Sequence, residues 1–351
     1  MQSLGRGAIN PGSPRPIVEK LAILIFLVAC AATELILLAG MASLSEALTK
    51  VANQLIAISV GLGMGGLFIY KNAANLFPNQ VCKPLVALRE EDDGSYVKIP
   101  ERCKTQFNEV LTKFGYKNTD KITLFINQGV HPISAGFPSF PNGAVVSLPK
   151  WYIFESHEDV EKCGITFQGR DIKWDSELGI MIKETLLPTD DMIAFCIAQE
   201  LAKMQRLDYM AVNAFMAPAW LYTTFRIAYA TPRLVKLHAL VDFILKLCIL
   251  RMSYLCYKQV HGTLYHDVVY KADMTAAKCA PRMLQGGIDM FSKKLELNRI
   301  RRRLLGKKGK HCFTEEGNDI GSYLYPLMTE RLERLKALNT GITLTGTRIT
   351  P

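Results

Sequence analysis

Two long apolar runs open the chain, residues 17–41 and 52–70, and each matches the ~20 residues a helix needs to cross a bilayer core. The short connection between them holds Ser43, Ser45, Glu46, Thr49 and Lys50, so the pair reads as a transmembrane helical hairpin within residues 17–72. Arg15 before the first run and Lys20 at its start, with Lys71 and Lys83 after the second, outweigh the one lysine of the link and put both ends on the negative side of the membrane. Gly61, Gly63, Gly65 and Gly66 crowd the second run and would let another helix approach closely. Residues 1–16 form an N-terminal tail and 73–100 a linker, with prolines in its first half and the acidic run Glu90–Asp93 in its second.

Beyond the linker the period alternates between helix and strand. Residues 102–114 read as a helix stopped by Gly115, and residues 122–126 as a short strand. Asn142-Gly143 is a tight-turn signal with strand-like runs on both sides. A helix over 151–161 and a short strand over 164–167 follow. At Pro188-Thr189-Asp190-Asp191 the pattern predicts a helix reaching to about Met210. Thr189 suits the N-cap, and the two aspartates suit the positive end of the helix dipole. Two apolar helices are expected near 211–230 and 234–256, the second carrying a polar stripe through His238, Asp242 and Lys246 that makes it amphipathic. Residues 267–298 are helical in pattern with interruptions at Pro281 and Gly286-Gly287, and residues 336–351 read as a flexible tail. The fold class is an α+β membrane protein, in which the hairpin carries a domain over 101–335 with a small sheet and several helices.

Composition narrows the context. The chain has 351 residues, a formal net charge of +10 and nine cysteines with no C-x-x-C pair. An odd, scattered set of thiols argues against a secreted disulfide framework and fits a reducing compartment. No phosphate-cradling glycine loop or nucleophile triad is present. Arg299, Arg301, Arg302, Arg303, Lys307 and Lys308 form a basic segment, a candidate contact for anionic lipid. No aromatic residues interleave with these charges, so nucleic acid is not an expected partner.

The candidate chemistry lies at Gln199-Glu200-Leu201-Ala202-Lys203. A zinc peptidase helix needs two histidines four residues apart on one face, with a water-activating glutamate beside the first. Here the glutamate is present, but Gln199 and Lys203 fill the histidine positions, and an ammonium has no lone pair to offer a metal. Glu200 falls on the stripe of Ile193, Ile197, Met204 and Leu207, so its carboxylate must face a pocket or find a partner. Lys203, at i+3, is the partner at hand.

The order of these parts resembles the membrane gluzincin metallopeptidases. Ser134-Ala135-Gly136-Phe137-Pro138 with Pro141-Asn142-Gly143-Ala144-Val145-Val146 is similar to the strand-and-turn element that receives peptide in those enzymes, and residues 187–204 are similar to their zinc helix. Val269-Tyr270-Lys271-Ala272-Asp273 resembles their Glu-x-x-Ala-Asp element, with Val269 in the place of the third ligand. The resemblance implies a metal site whose ligand positions Gln199, Lys203 and Val269 are all changed while Glu200 and Asp273 match. No metal or cofactor is therefore expected. An ammonium–carboxylate contact of Lys203 with Glu200 or Asp273 is expected in the metal's stead.

A second resemblance covers residues 100–330 and is to the transmembrane protein 177 family of the mitochondrial inner membrane. Pro132-Ile133-Ser134-Ala135-Gly136-Phe137-Pro138, Trp174-Asp175-Ser176, Arg303-Leu304-Leu305-Gly306-Lys307 and Glu316-Gly317-Asn318 carry it. It implies a non-catalytic role in biogenesis of the second subunit of cytochrome c oxidase, beside that subunit's assembly chaperone, with the domain in the matrix. The expected client site is an edge strand at Phe137, Gly143, Ala144, Val145 and Val146, which would take an extended segment by main-chain pairing. Two alternatives stand beside this reading. One is an active zinc peptidase with atypical ligands. The other is a lipid- or ribosome-tethering module acting through residues 299–310.

Overall fold

In the computed structural model, residues 58, 61–66, 68–69, 72–90, 93–116, 119–167, 170–234, 239–321 and 324–340 are described. The apolar run 17–41 lies outside them, as do most of the run 52–70 and residues 341–351. No helix among the described residues is long and apolar enough to cross a membrane. The chain divides into two compact units, one built from Ala74–Tyr209 and the part from Leu264 onward, the other from the part ending at Ala73 and Met210–Thr263.

The elements in chain order are α1 (Lys83–Val86), α2 (Glu101–Lys113), β1 (Ile122–Asn127), β2 (Ile133–Gly136), β3 (Ala144–Pro149), α3 (His157–Lys162), β4 (Thr166–Phe167), β5 (Arg170–Asp171), α4 (Glu177–Leu186), α5 (Asp190–Met204), α6 (Leu207–Ala214), α7 (Met216–Leu234), α8 (Ala239–Cys279), α9 (Pro281–Leu304), α10 (Lys307–Cys312) and α11 (Met328–Asn339). Residues of α8 up to Thr263 belong to the second unit and those from Leu264 to the first.

The first unit is organised around α5. Thr189 caps it, its hydroxyl accepting the Met192 N–H at 3.3 Å, and every residue from Met192 to Met204 is buried. A helix buried all round must be covered on every side. The sheet covers one side, and α2 and α9 pack against others. α9 comes close because of Gly286 and Gly287. A Cβ at Gly286 would sit 2.1 Å from the Asp191 carbonyl oxygen, and one at Gly287 would sit 2.7 Å from the Phe195 ring. These glycines therefore do not interrupt the helix, contrary to the expectation from sequence. The break comes at Ala280-Pro281 alone, between α8 and α9. The α5 helix also stops at Met204 rather than reaching Met210.

The sheet has the order β1-β3-β2, with β1 parallel and β2 antiparallel to β3. Gly136 and Gly143 hold the connecting turn at φ of 84° and 66°, values open to glycine at little cost. The linker expectation for 73–100 is corrected in its first half. Pro78–Cys82 and α1 are helical turns, and beyond them Leu88 N–H donates to the Ile126 carbonyl at 2.7 Å along the outer side of β1. This stretch is part of the folded unit because Cys82, Ala87, Phe125, Ala135 and Val145 share one buried cluster.

In the second unit, Trp220 Nε1 of α7 donates to the carbonyl and hydroxyl oxygens of Ser253 on α8, at 3.1 and 2.9 Å. Tyr222, Ile227, Ile244, Leu247, Met252 and Leu255 lie exposed on these helices. Nothing described lies within 4 Å of a Cβ built on Gly61, Gly63, Gly65 or Gly66. His238 falls outside the described residues.

Candidate functional site: an ion-paired core beneath the outer strand

Gln199 and Glu200 are adjacent on α5 with Lys203 one turn further on, and all three are buried. Lys203 Nζ donates to Glu200 Oε1 at 2.6 Å, and the other carboxylate oxygen accepts the Ser134 hydroxyl of β2 at 2.8 Å. Gln199 Nε2 donates to Asp273 Oδ1 on α8. Arg331 of α11 closes on both oxygens of Asp273, Nε to Oδ2 at 2.7 Å and Nη2 to Oδ1 at 2.8 Å, while its guanidinium lies 4.3 Å from the Phe291 ring centroid. Each carboxylate thus meets one cation and one neutral donor, the arrangement that makes buried charge tolerable.

The electrostatics follow from these contacts. Burial draws the Lys203 ammonium down, but Glu200, aided by Tyr325, holds it above the ordinary lysine value. Burial works against Arg331 in the same way, and Asp273 holds it above the ordinary arginine value. Lys294 of α9 differs. Burial, with Arg331 and Lys203 nearby, draws its ammonium down to about 8.

The residues do not fit the zinc site that the gluzincin resemblance implies. Lys203 is a cation already bound to the carboxylate that would have activated water, and Val269 is a fully buried aliphatic side chain. Gln199 turns an amide N–H donor, not a lone pair, toward Asp273. No group of three or more His, Cys, Asp or Glu side chains among the described residues converges in a way that could hold a metal ion.

The structure corrects the expected client strand. β3 carries Ala144, Val145 and Val146 as the central strand, paired on both sides, so it has no free edge. Gly143 gives its carbonyl to the Phe137 N–H, and Phe137 is buried in a tilted contact with Phe140. Of the two outer strands, β1 is met on its outer side by the stretch at Ala87 and Leu88, which leaves β2. By the alternation of an antiparallel pair, the Phe137–Gly143 bond leaves Ser134 and Gly136 with their main-chain groups turned away from β3. The Gly136 N–H is met by Asn75 Oδ1 at 3.3 Å, so the stretch around Asn75 covers that end of β2.

The basic segment divides in two. Arg299 donates to the Glu316 carbonyl and pairs with Glu296. Arg302 donates to the Phe313 carbonyl and pairs with Glu315, so both hold a loop. Arg301 is half-buried, whereas Arg303, Lys307 and Lys308 are exposed. The loop they flank is itself structural. Asn298 donates to the Gly317 carbonyl at 2.9 Å, and Asn318 exchanges hydrogen bonds with Thr329 at the start of α11. That arrangement fixes the helix carrying Arg331.

Sequence reasoning missed Arg331 and Lys294. The signal was present in both helices. Arg331 falls on the apolar stripe of Met328, Leu332 and Leu335, and Lys294 on that of Met290, Phe291 and Leu295. A charge on a buried stripe calls for a buried partner, the same argument that singled out Glu200.

A family model described as Transmembrane protein 177 matches residues 104–341, a stretch that contains every residue of the ion-paired core. The chain belongs to this family. Relatives named Transmembrane protein 177 include one from Danio rerio, 24% identical over 283 residues, covering 78% of this chain and 90% of the relative. One from Homo sapiens is 26% identical over 263 residues (74% and 83%), and one from Xenopus laevis is 25% identical over 263 residues (72% and 82%). The family's name describes transmembrane proteins, in keeping with the two apolar runs at the start of this chain. No solved structure matches.

Proposed function

We propose that this chain is a non-catalytic membrane factor that holds an extended polypeptide across a former peptidase site. The observation that carries the reading is the Lys203–Glu200 ion pair, set where a peptidase would need a metal ligand and a free base. A hydrolase cannot run with its base neutralised and its ligand positions filled by an ammonium, an amide and an alkyl group. Main-chain pairing to an outer strand needs no metal. The place for the client is the outer side of β2 beside Ser134, reached by displacing the Asn75 contact, and not β3. Within this reading the chain serves biogenesis of the second subunit of cytochrome c oxidase, with that subunit's assembly chaperone, and sits in the mitochondrial inner membrane with the domain in the matrix.

Proximity labelling from the C-terminus, read by mass spectrometry, tests the assignment. Recovery of cytochrome c oxidase assembly proteins supports it, and recovery of cytosolic proteins alone refutes it. A second role is favoured by one observation. Arg303, Lys307 and Lys308 are exposed and make no ion pair among the described residues, which suits an anionic lipid surface.

A further inference from the structure

A small cavity of about 20 Å³ lies beside the ion pairs, lined by His131, Pro132, Gln199, Lys203, Lys294 and Arg331, with Met290 and Tyr325 completing its wall. That is room for one or two water-sized groups. His131 and Pro132 directly precede β2, so the cavity stands at the start of the outer strand. The His131 and Tyr325 rings stack at 5.4 Å along one side.

The charges around this cavity do not cancel. Three cations face it, Lys203 from α5, Lys294 from α9 and Arg331 from α11. The two carboxylates beside it are already committed, Glu200 to Lys203 and Ser134, and Asp273 to Arg331 and Gln199. The Lys294 ammonium makes no hydrogen bond or ion pair with the described residues, although it stands in the same cluster. A confined net cation is costly unless an anion compensates it. The depressed value of Lys294 is the cost seen from the protein's side.

We propose that this cavity is a receptor for a carboxylate, with the Lys294 ammonium as its principal partner. Room for one or two water-sized groups matches the two oxygens of a carboxylate head better than the four oxygens of a phosphate. The group comes either from a small free acid or from a polypeptide, as a C-terminal carboxylate or an acidic side chain entering past His131. The polypeptide source rests on the client reading above. The carboxylate site itself does not.

The experiment uses the full chain in detergent and two probes, sodium acetate against sodium chloride at matched ionic strength, and acetylated penta-alanine with a free C-terminus against its C-terminal amide. Acetate is expected to raise the unfolding midpoint by about 2–4 °C over chloride. The free-acid peptide is expected to bind at least about tenfold more tightly than the amide, a difference of ~1.4 kcal/mol. Lys294→Met, which removes an uncompensated charge and should fold, is expected to abolish both effects. Equal midpoints in acetate and chloride, or an acetate effect that survives Lys294→Met, overturn the carboxylate site. A phosphate effect larger than that of acetate overturns it as well. Acetate binding with no peptide binding upholds the site with a free acid as its ligand and counts against the client reading. Equal binding of acid and amide removes the carboxylate site from peptide recognition and leaves the client reading standing.

Discussion

Lys203 Nζ lies 2.6 Å from Glu200 Oε1, one turn away on the same helix, with both side chains no more than 3% exposed. Removing one member of such a pair strands the other charge, while removing both can be close to neutral. Lys203→Met alone is expected to cost about 3–5 kcal/mol, and so is Glu200→Leu alone. The double variant should lie within about 1–2 kcal/mol of the parent. Denaturant midpoints for the four proteins check this, and additive losses would show that the two side chains act independently.

Gly286 lets α9 approach the backbone of α5 at Asp191. Gly286→Ala would place a methyl 2.1 Å from a carbonyl oxygen that cannot move without shifting the start of α5. The expected loss is on the order of 1–3 kcal/mol or more. Gly306→Ala, where nothing lies within 4 Å but φ is 55°, should lose less, through backbone strain alone. Thermal midpoints of the two variants distinguish packing from conformation.

Much of the helical frame was legible. Thr189 with Asp190 and Asp191 marked the start of α5, because an N-cap and the helix dipole are local effects. Glu200 on an apolar stripe announced a buried partner, and Lys203 supplied it. What was not legible depended on contacts distant in sequence. Gly286 and Gly287 looked like breaks because nothing local says that another helix passes within van der Waals contact. β3 looked like an edge because its sequence does not reveal that β1 pairs with it in parallel from the other side. Arg331 reaches Asp273 across 58 residues, a partnership no local spacing encodes.

Lys294 gives the site a pH dependence of definite sign. Its folded value is about 8 against an ordinary 10.5, set first by burial, with Arg331 and Lys203 adding to it and Cys196 and Glu200 opposing. Between those two values the unfolded chain holds more protons than the folded one, so this lysine makes stability rise as pH climbs from about 8 toward 10.5. Below about 8 its destabilising effect is complete and constant. Denaturation of the parent and of Lys294→Met at pH 7.5 and 10 should show the gap between them narrowing at the higher pH. A gap that widens would contradict the assignment.

The two halves of the basic segment should separate by experiment. Reversing Arg303, Lys307 and Lys308 to glutamate should leave the unfolding midpoint nearly unchanged and weaken flotation with anionic vesicles, by about 1 kcal/mol for each basic residue lost near the surface. Arg302→Glu should instead lower the midpoint, because Arg302 holds the Phe313 carbonyl and Glu315.

The central claim is that a peptidase framework with its metal site filled by ion pairs now holds another polypeptide along β2. A photo-crosslinking residue at Ile133, introduced into the chain in intact cells and mapped by mass spectrometry, tests it most directly. The account predicts covalent capture of an intact extended segment of a membrane polypeptide, lost when the crosslinker is moved to the paired strand β3 at Val145. Absence of any captured polypeptide, or capture only of fragments whose formation stops when Glu200 becomes Gln, would contradict it.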